Sequence, residues 1–315
     1  MPRLSLGTFL LAASFTLVMT TSAYGVGTRT YVSSTGNDSN VTYSCDATHP
    51  CRLFATALAQ TTDGGEIIAL DAGGFGHVTI DRSVSIIANP GAYAGIGVGA
   101  GSVTGFQIST PGVRVLLRGL TINGLGGIAG VYMTAGSALT IENCVFSTFS
   151  GSGQAGIFIN TQATVRIVNS IIRDNWYGLW LEGGATADIS GSKFLGNSAE
   201  GIYVLGDVAS TTTSASISGT TVTGSSYGID VFSNTASAVA QAYIVGTTVS
   251  NSGIGINSES SAGTASVTVG DSMVAGNTVG FSQVGSSATF ESKGNNTLNK
   301  NTSPNAGTIT VISTY

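Results

Sequence analysis

Four aromatic residues recur one per phrase: Tyr132 in GVYM, Phe158 in GIFI, Trp180 in GLWL and Tyr203 in GIYV. They lie 26, 22 and 23 residues apart. Asp230 takes the same position in the next phrase, GIDV, and Glu182 and Asn160 each stand two places further along their own phrases. Trp176, Tyr177 and Tyr227 sit in or beside the preceding turns. If the phrases stack, the four rings form a ladder about 14 Å long, three gaps of roughly 4.8 Å. Such a surface suits a glycan, whose apolar ring faces stack on flat side chains while its hydroxyls meet Asn, Glu and Asp. Exposed apolar patches of this kind mark binding surfaces. Two competing readings are that a loop, the tail or a neighbouring subunit covers the row, and that the rings only stabilise a sheet.

Catalytic chemistry is harder to place. A hydrolase needs two carboxyl groups about 5 to 9 Å apart, most simply supplied by acids at one position of adjacent phrases. Asp230, Glu182, Glu200 and Asp207 fall at four different positions, as do Glu142, Asp174, Asp188 and Asp271 in a second repeated phrase. No catalytic residue is assigned on this basis, although acids from different positions can still converge through a turn. Arg166 and Asp188 do share a position, and a surface ion pair worth under about 1 kcal/mol is expected there. Arg173 and Asp174 read as a solvated corner before Trp176. His49 and His77 are too far apart in coil order for a nucleophile–base arrangement, and none of the phosphate-loop glycine spacings occurs.

What must hold these side chains in line is the repeat itself. Gly followed by apolar–any–apolar begins at Gly105, Gly130, Gly156, Gly178, Gly201, Gly228, Gly253 and Gly280, the last copy degraded by Gln283. A second anchor, Ile141, Ile167, Ile189, Ile217, Ile244 and Val269, keeps step with it. Asn175, Asn197, Asn251 and Asn277 mark the turns, where Asn tolerates left-handed backbone. A period near 25 leaves room for two or three short strands and no helix. Such strands bury a face only by stacking coil on coil, with alternate side chains pointing in and out. The fold class expected is therefore all-β: a right-handed parallel β-helix of about nine coils, its hand following the rule for parallel crossovers.

Bulk properties agree. Only 9% of residues are charged, Gly numbers 45 of 315, and 42% are apolar. A net charge of −5 offers no basic stripe for nucleic acid. Residues 1–25, with Arg3 ahead of a short uncharged apolar run, read as a signal peptide. The mature chain, 26–315, is then a secreted, extracellular or periplasmic single domain with no membrane span: 26–65 an N-terminal cap, 66–294 coils, 295–315 a C-terminal cap. Arg52 to Gln60 is the one convincing helix, a lid for the open end. Cys45 and Cys51 bracket a short loop and are expected to form a disulfide in an oxidising compartment. Cys144 is left as a small buried apolar residue.

HPCRLFATALAQTTDGGEIIAL and VTIDRSVSII, followed by Gly-anchored coils, resemble secreted bacterial right-handed β-helix proteins of the pectate-lyase-like superfamily, with a closer likeness to its NosD-like and uncharacterised members. The resemblance spans nearly the whole mature chain and implies fold more than function, because the superfamily includes polysaccharide lyases, hydrolases and adhesins. The reading that follows is a polysaccharide-binding protein using Tyr132, Phe158, Trp180, Tyr203, Trp176, Tyr177, Glu182 and Asp230, with no cofactor and no metal. The alternatives are a polysaccharide lyase or glycoside hydrolase, with Ca²⁺ required only for a lyase, and a structural or adhesive surface protein in which the same face joins a homo-oligomer.

Overall fold

Phrases of three to seven residues that alternate apolar and polar side chains cannot bury their apolar half alone, and here each becomes a strand paired with its copies. The computed structural model describes residues 27–101 and 104–313; the expected signal peptide lies outside them. One coil consists of strands Ala129–Met133, Ala138–Glu142 and Val145–Ser147. Each pairs in parallel with its counterpart one coil on: Ala155–Asn160, Thr164–Val168 and Ile171–Arg173. Repetition builds three parallel sheets: a Gly-anchored sheet of ten strands, an Ile-anchored sheet of twelve and a short-stranded sheet of ten. The result is a parallel β-solenoid.

The Ile anchors form one column from Ile141 to Val269, every member buried. Val131, Met133, Ile157, Ile159, Leu179, Leu181, Ile202, Val204, Ile229 and Val231 fill the interior from the Gly-anchored side, all fully buried.

The glycine anchors have a physical reason. A Cβ added at Gly130, Gly156, Gly201 or Gly228 would lie 2.5, 2.9, 2.6 or 2.5 Å from the backbone oxygen of Gly156, Gly178, Gly228 or Gly255 respectively. The coils touch through these positions, so a side chain would push two turns apart. The same contact corrects the phase of one repeat: Ile256, Asn257 and Ser258 pair with Ile229, Asp230 and Val231. The anchor is Gly255, not Gly253, and Ile254, expected inside, is only partly buried. Gly228→Ala is expected to cost about 2 kcal/mol or more, read as a lowered denaturation midpoint.

Each coil turns two corners through a left-handed residue. One column runs Asn143, Asn169, Gly191, Gly219, Gly246, Asp271; the other runs Thr148, Asp174, Gly196, Gly224, Asn251, Gly276. Asn251 (φ 52°) takes the role expected of it. Asn175, Asn197 and Asn277 do not: each follows the left-handed residue and is buried. Their side chains serve the backbone instead. Asn175 Oδ1 accepts from the Phe149 N–H (3.0 Å), Asn197 Oδ1 from the Asn175 N–H (3.2 Å), and Asn277 Oδ1 from the Ser252 N–H (2.9 Å). At the other corner Cys144, Ser170 and Ser192 form a parallel column, in which Ser170 Oγ accepts from the Cys144 N–H. Cys144 is a free, buried thiol pushed up to about 12 by desolvation.

The first end is closed by the helix Phe54–Ala59, two residues shorter at its start than expected, which buries Phe54, Ala57 and Leu58. Phe54 packs against Phe75 (5.2 Å between ring centroids) and Phe106 (6.5 Å). The expected disulfide joins Cys45 and Cys51 beside it. At the other end, strands Thr297–Asn299, Ser303–Ala306 and Thr310–Val311 carry the three sheets through a last turn. Among the described residues no helix is long and apolar enough to cross a membrane.

Candidate functional site

Alternation along the Gly-anchored sheet sends the second residue past each glycine outward, and parallel register lines these residues up. The row reads Gln107, Tyr132, Phe158, Trp180, Tyr203, Asp230, Asn257, Ser282. Tyr132 stacks on Phe158 (4.8 Å, 21°) and Phe158 on Trp180 (4.4 Å, 20°). Trp180 and Tyr203 are tilted (5.9 Å, 47°), because Tyr177 leans between them, 4.6 Å from Trp180 and stacked 5.9 Å from Tyr203. All four rings of the row are half-buried, and Phe158 carries a stacked ring on each side.

Two further rows flank it. The residue before the glycine gives Ala155, Tyr177, Glu200, Tyr227, Ile254. Strict alternation would turn this row inward, but the glycine interrupts it and Tyr177 stacks outside. On the other side Asn160 pairs with Glu182, and in later coils Leu205, Phe232 and Glu259 line up. Trp176 lies in the turn ahead of Tyr177, half-buried and outside the ring contacts of the row. Thus Tyr132, Phe158, Trp180, Tyr203, Tyr177, Glu182 and Asp230 belong to one face, with Trp176 at its margin.

The acids that occupy separate positions in sequence share this face. Asp230 is 6% exposed and Glu182 7%. Burial pushes Asp230 up to about 7; a hydrogen bond from Asn257 opposes the shift and the charge of Glu259 adds to it. Burial, then the charge of Asp230, lifts Glu200 to about 7. Glu182 also rises to about 7, from burial and then Asp207. The nearby Trp180 indole favours its ionised form slightly, yet Trp180 Nε1 lacks a true hydrogen-bond partner. Tyr203, Tyr177 and Tyr227 are all raised, first by burial and then by these carboxylates. Asn257, fully buried, donates through Nδ2 to Asp230 Oδ1 (2.9 Å) and to Glu259 Oε2 (3.2 Å). Its own Oδ1, and Glu200 Oε2, are buried with no donor.

Glu200, Asn257 and Glu259 were absent from the site read from sequence. The usable signal was position: Glu200 occupies the same place before its glycine as Tyr177 and Tyr227. The remaining charged pairs lie elsewhere. Arg166 and Asp188 are register partners on the Ile-anchored sheet but form no ion pair, whereas Arg173 Nη1 binds Asp174 Oδ2 at 2.6 Å. Among the described residues no three His, Cys, Asp or Glu side chains group as metal ligands.

A family model described as "Right handed beta helix region" matches residues 104–303. Among solved structures, the crystal structure of pectate lyase Pel9A superposes with a TM-score of 0.69 at 17% identity, covering 89% of this chain and 78% of that one. The A-module of Azotobacter vinelandii mannuronan C-5 epimerase AlgE6 gives a TM-score of 0.42 at 12% identity, covering 91% and 89%. Comparison with curated proteins gave no match. The likeness to the lyase is one of fold: a parallel solenoid whose hand is that of the matched family.

Proposed function

The chain belongs to the right-handed β-helix family, and from that premise we propose that it binds a polysaccharide outside the cytoplasm, along the outward aromatic row. The observation that carries this reading is the continuous stack Tyr132–Phe158–Trp180, extended by Tyr177 and Tyr203, on one open sheet face. The outward edges of the stacked rings, spaced by the solenoid repeat, give a sugar chain lying across them a continuous apolar strip, and Asn160, Glu182 and Asp230 meet hydroxyls at its margins. The pectate lyase that shares the fold is, by its name, a polysaccharide enzyme, which supports the substrate class. The Cys45–Cys51 disulfide supports an oxidising compartment.

Trp180→Ala and Tyr203→Ala are expected to reduce retention in glycan-containing affinity gels, roughly tenfold for a contact worth about 1.4 kcal/mol. The rings lie outside the core, so the melting curve should shift little by comparison. Unchanged retention on every glycan tested removes the proposal.

A second reading, cleavage of the bound chain by hydrolysis, is favoured by the convergence of Glu200 and Asp230. Asp230 and Glu200 both stand at about 7, lifted first by burial, and the charge of Asp230 raises Glu200 further, so near neutrality the pair holds one proton between them. One protonated and one ionised carboxyl group is what a glycosidase requires. New reducing ends from a polysaccharide panel, lost in Glu200→Gln, is the expected result; none from any polysaccharide removes this reading. Among the described residues no three acidic side chains group as Ca²⁺ ligands, and no step is assigned through that ion.

A further inference from the structure

We propose that the glycan held on this face carries free amino groups, as in a polymer of glucosamine, and is not a polyuronate such as pectate. The inference rests on the platform reading above and narrows it to a ligand class.

Charge is the first argument. The strands of the Gly-anchored sheet from Ala129–Met133 through Val279–Val284 contain no Lys, Arg or His, yet contribute Glu182, Glu200, Asp230 and Glu259. Arg173, at a neighbouring corner, is already engaged by Asp174. A carboxylate-bearing sugar would be brought against four acids with no cation between them, which is costly in a partly desolvated site. Burial first, then neighbouring carboxylates, raises the carboxyl groups of Glu182, Glu200 and Asp230, and no cation offsets the shift.

Hydrogen-bond accounting is the second and independent argument. The acidic end of the face has two buried acceptors without donors, Glu200 Oε2 and Asn257 Oδ1. Asn257 is wholly buried and commits Nδ2 to Asp230 and Glu259, so what this acidic end lacks is donors, whereas Trp180 Nε1, near Glu182, is the orphaned donor of the aromatic row. An alkylammonium group offers three donors and no acceptor. The third argument is the platform: aromatic faces carry negative potential and attract a cation placed over them. Trp180 and Tyr177 share a strand with Glu182, and Tyr203 shares one with Glu200 and pairs with Asp230, so an amino group placed there meets rings and carboxylates together.

The test is calorimetric titration at pH 7, where carboxyl groups standing at about 7 are half ionised, of the mature chain with three soluble oligosaccharides of equal length: fully deacetylated glucosamine, its N-acetylated counterpart and oligogalacturonate. The amino form is expected to bind about tenfold or more tightly than the acetylated form, and oligogalacturonate to give no measurable heat. Glu200→Gln combined with Asp230→Asn should erase the preference for the amino form, lowering its affinity about tenfold more than that of the acetylated form. Trp180→Ala should weaken both, which separates the site from diffuse attraction to an acidic protein. Equal affinity for the amino and acetylated forms, or tighter binding of oligogalacturonate, overturns the inference while leaving the platform in place. Binding of none of the three overturns it too, and the platform falls only if the wider glycan panel in affinity gels is also blank.

Discussion

Asn197→Ala is expected to lower stability by about 3 kcal/mol, through lost hydrogen bonds and stranded donors. Asn197 is fully buried at a corner. Its Oδ1 accepts from both the backbone N–H and the side-chain Nδ2 of Asn175 (3.2 and 3.0 Å), and its Nδ2 donates to Ile172 O (3.0 Å). Alanine removes all three bonds, leaving the buried Asn175 N–H without a partner and Asn175 Nδ2 with only its 3.4 Å bond to Phe146 O. Ser225 and Ser252 occupy the equivalent place in the next two coils, and Ser252 Oγ accepts from the Ser225 N–H at 3.4 Å. Asn197→Ser is therefore expected to cost clearly less than Asn197→Ala. Denaturant midpoints of the two variants decide the matter. A loss below about 1 kcal/mol for alanine, or equal losses for both, would show that the column is dispensable.

Raising the pH from 5 to 8 is expected to lower the melting temperature, against the common pattern for carboxylates. Glu182, Glu200 and Asp230 stand at about 7 in the folded protein, against ordinary values of 4.5, 4.5 and 3.8. Between those limits the folded chain holds more protons than the unfolded one, so stability falls as pH rises. The contribution is fully present below about pH 4, where both states are protonated, and is lost as pH climbs through 7. Asp230, the most deeply buried and the furthest from its ordinary value, contributes most, on the order of 3 kcal/mol. A drop of roughly 5 to 10 °C across the window follows for a chain of this size. Asp46, Asp71 and Asp81 are held below the usual carboxylate range by hydrogen bonds or a salt bridge. Their contribution disappears only on acidification below their ordinary value, outside this window. Asp230→Asn should flatten the slope and raise the melting temperature at pH 8. A flat or rising profile in the unmodified protein would contradict the assignment.

Most of the architecture was legible in the sequence because a solenoid turns spacing into adjacency. Ile141, Ile167 and Ile189 are 26 and 22 residues apart and sit directly over one another; the same holds for Phe158 and Trp180. Where the sequence misled, the reason is local. The letters GIGI offer two glycines, and only the pairing register, Ile229 with Ile256, distinguishes Gly255 from Gly253. Asn at a turn suggests left-handed backbone, yet Asp174 and Gly196 already supply it, leaving Asn175 and Asn197 to the interior. The acids occupy different positions of the repeat, so spacing alone keeps them apart. Glu200 reaches the outer face only because the following glycine breaks the alternation, and Glu259 and Asp230 meet through the amide of Asn257, a neighbour that no spacing of acids reveals.

The outward row also makes reach separable from chemistry. Each three-strand unit contributes one place on the face and touches only the units before and after it. Duplication of an internal unit would extend the footprint by one step of about 4.8 Å, with the lid, the disulfide and the acidic end unchanged. A lineage built this way can fit itself to longer or shorter chains by whole-unit gain or loss, with no new fold to evolve and no residue to reposition.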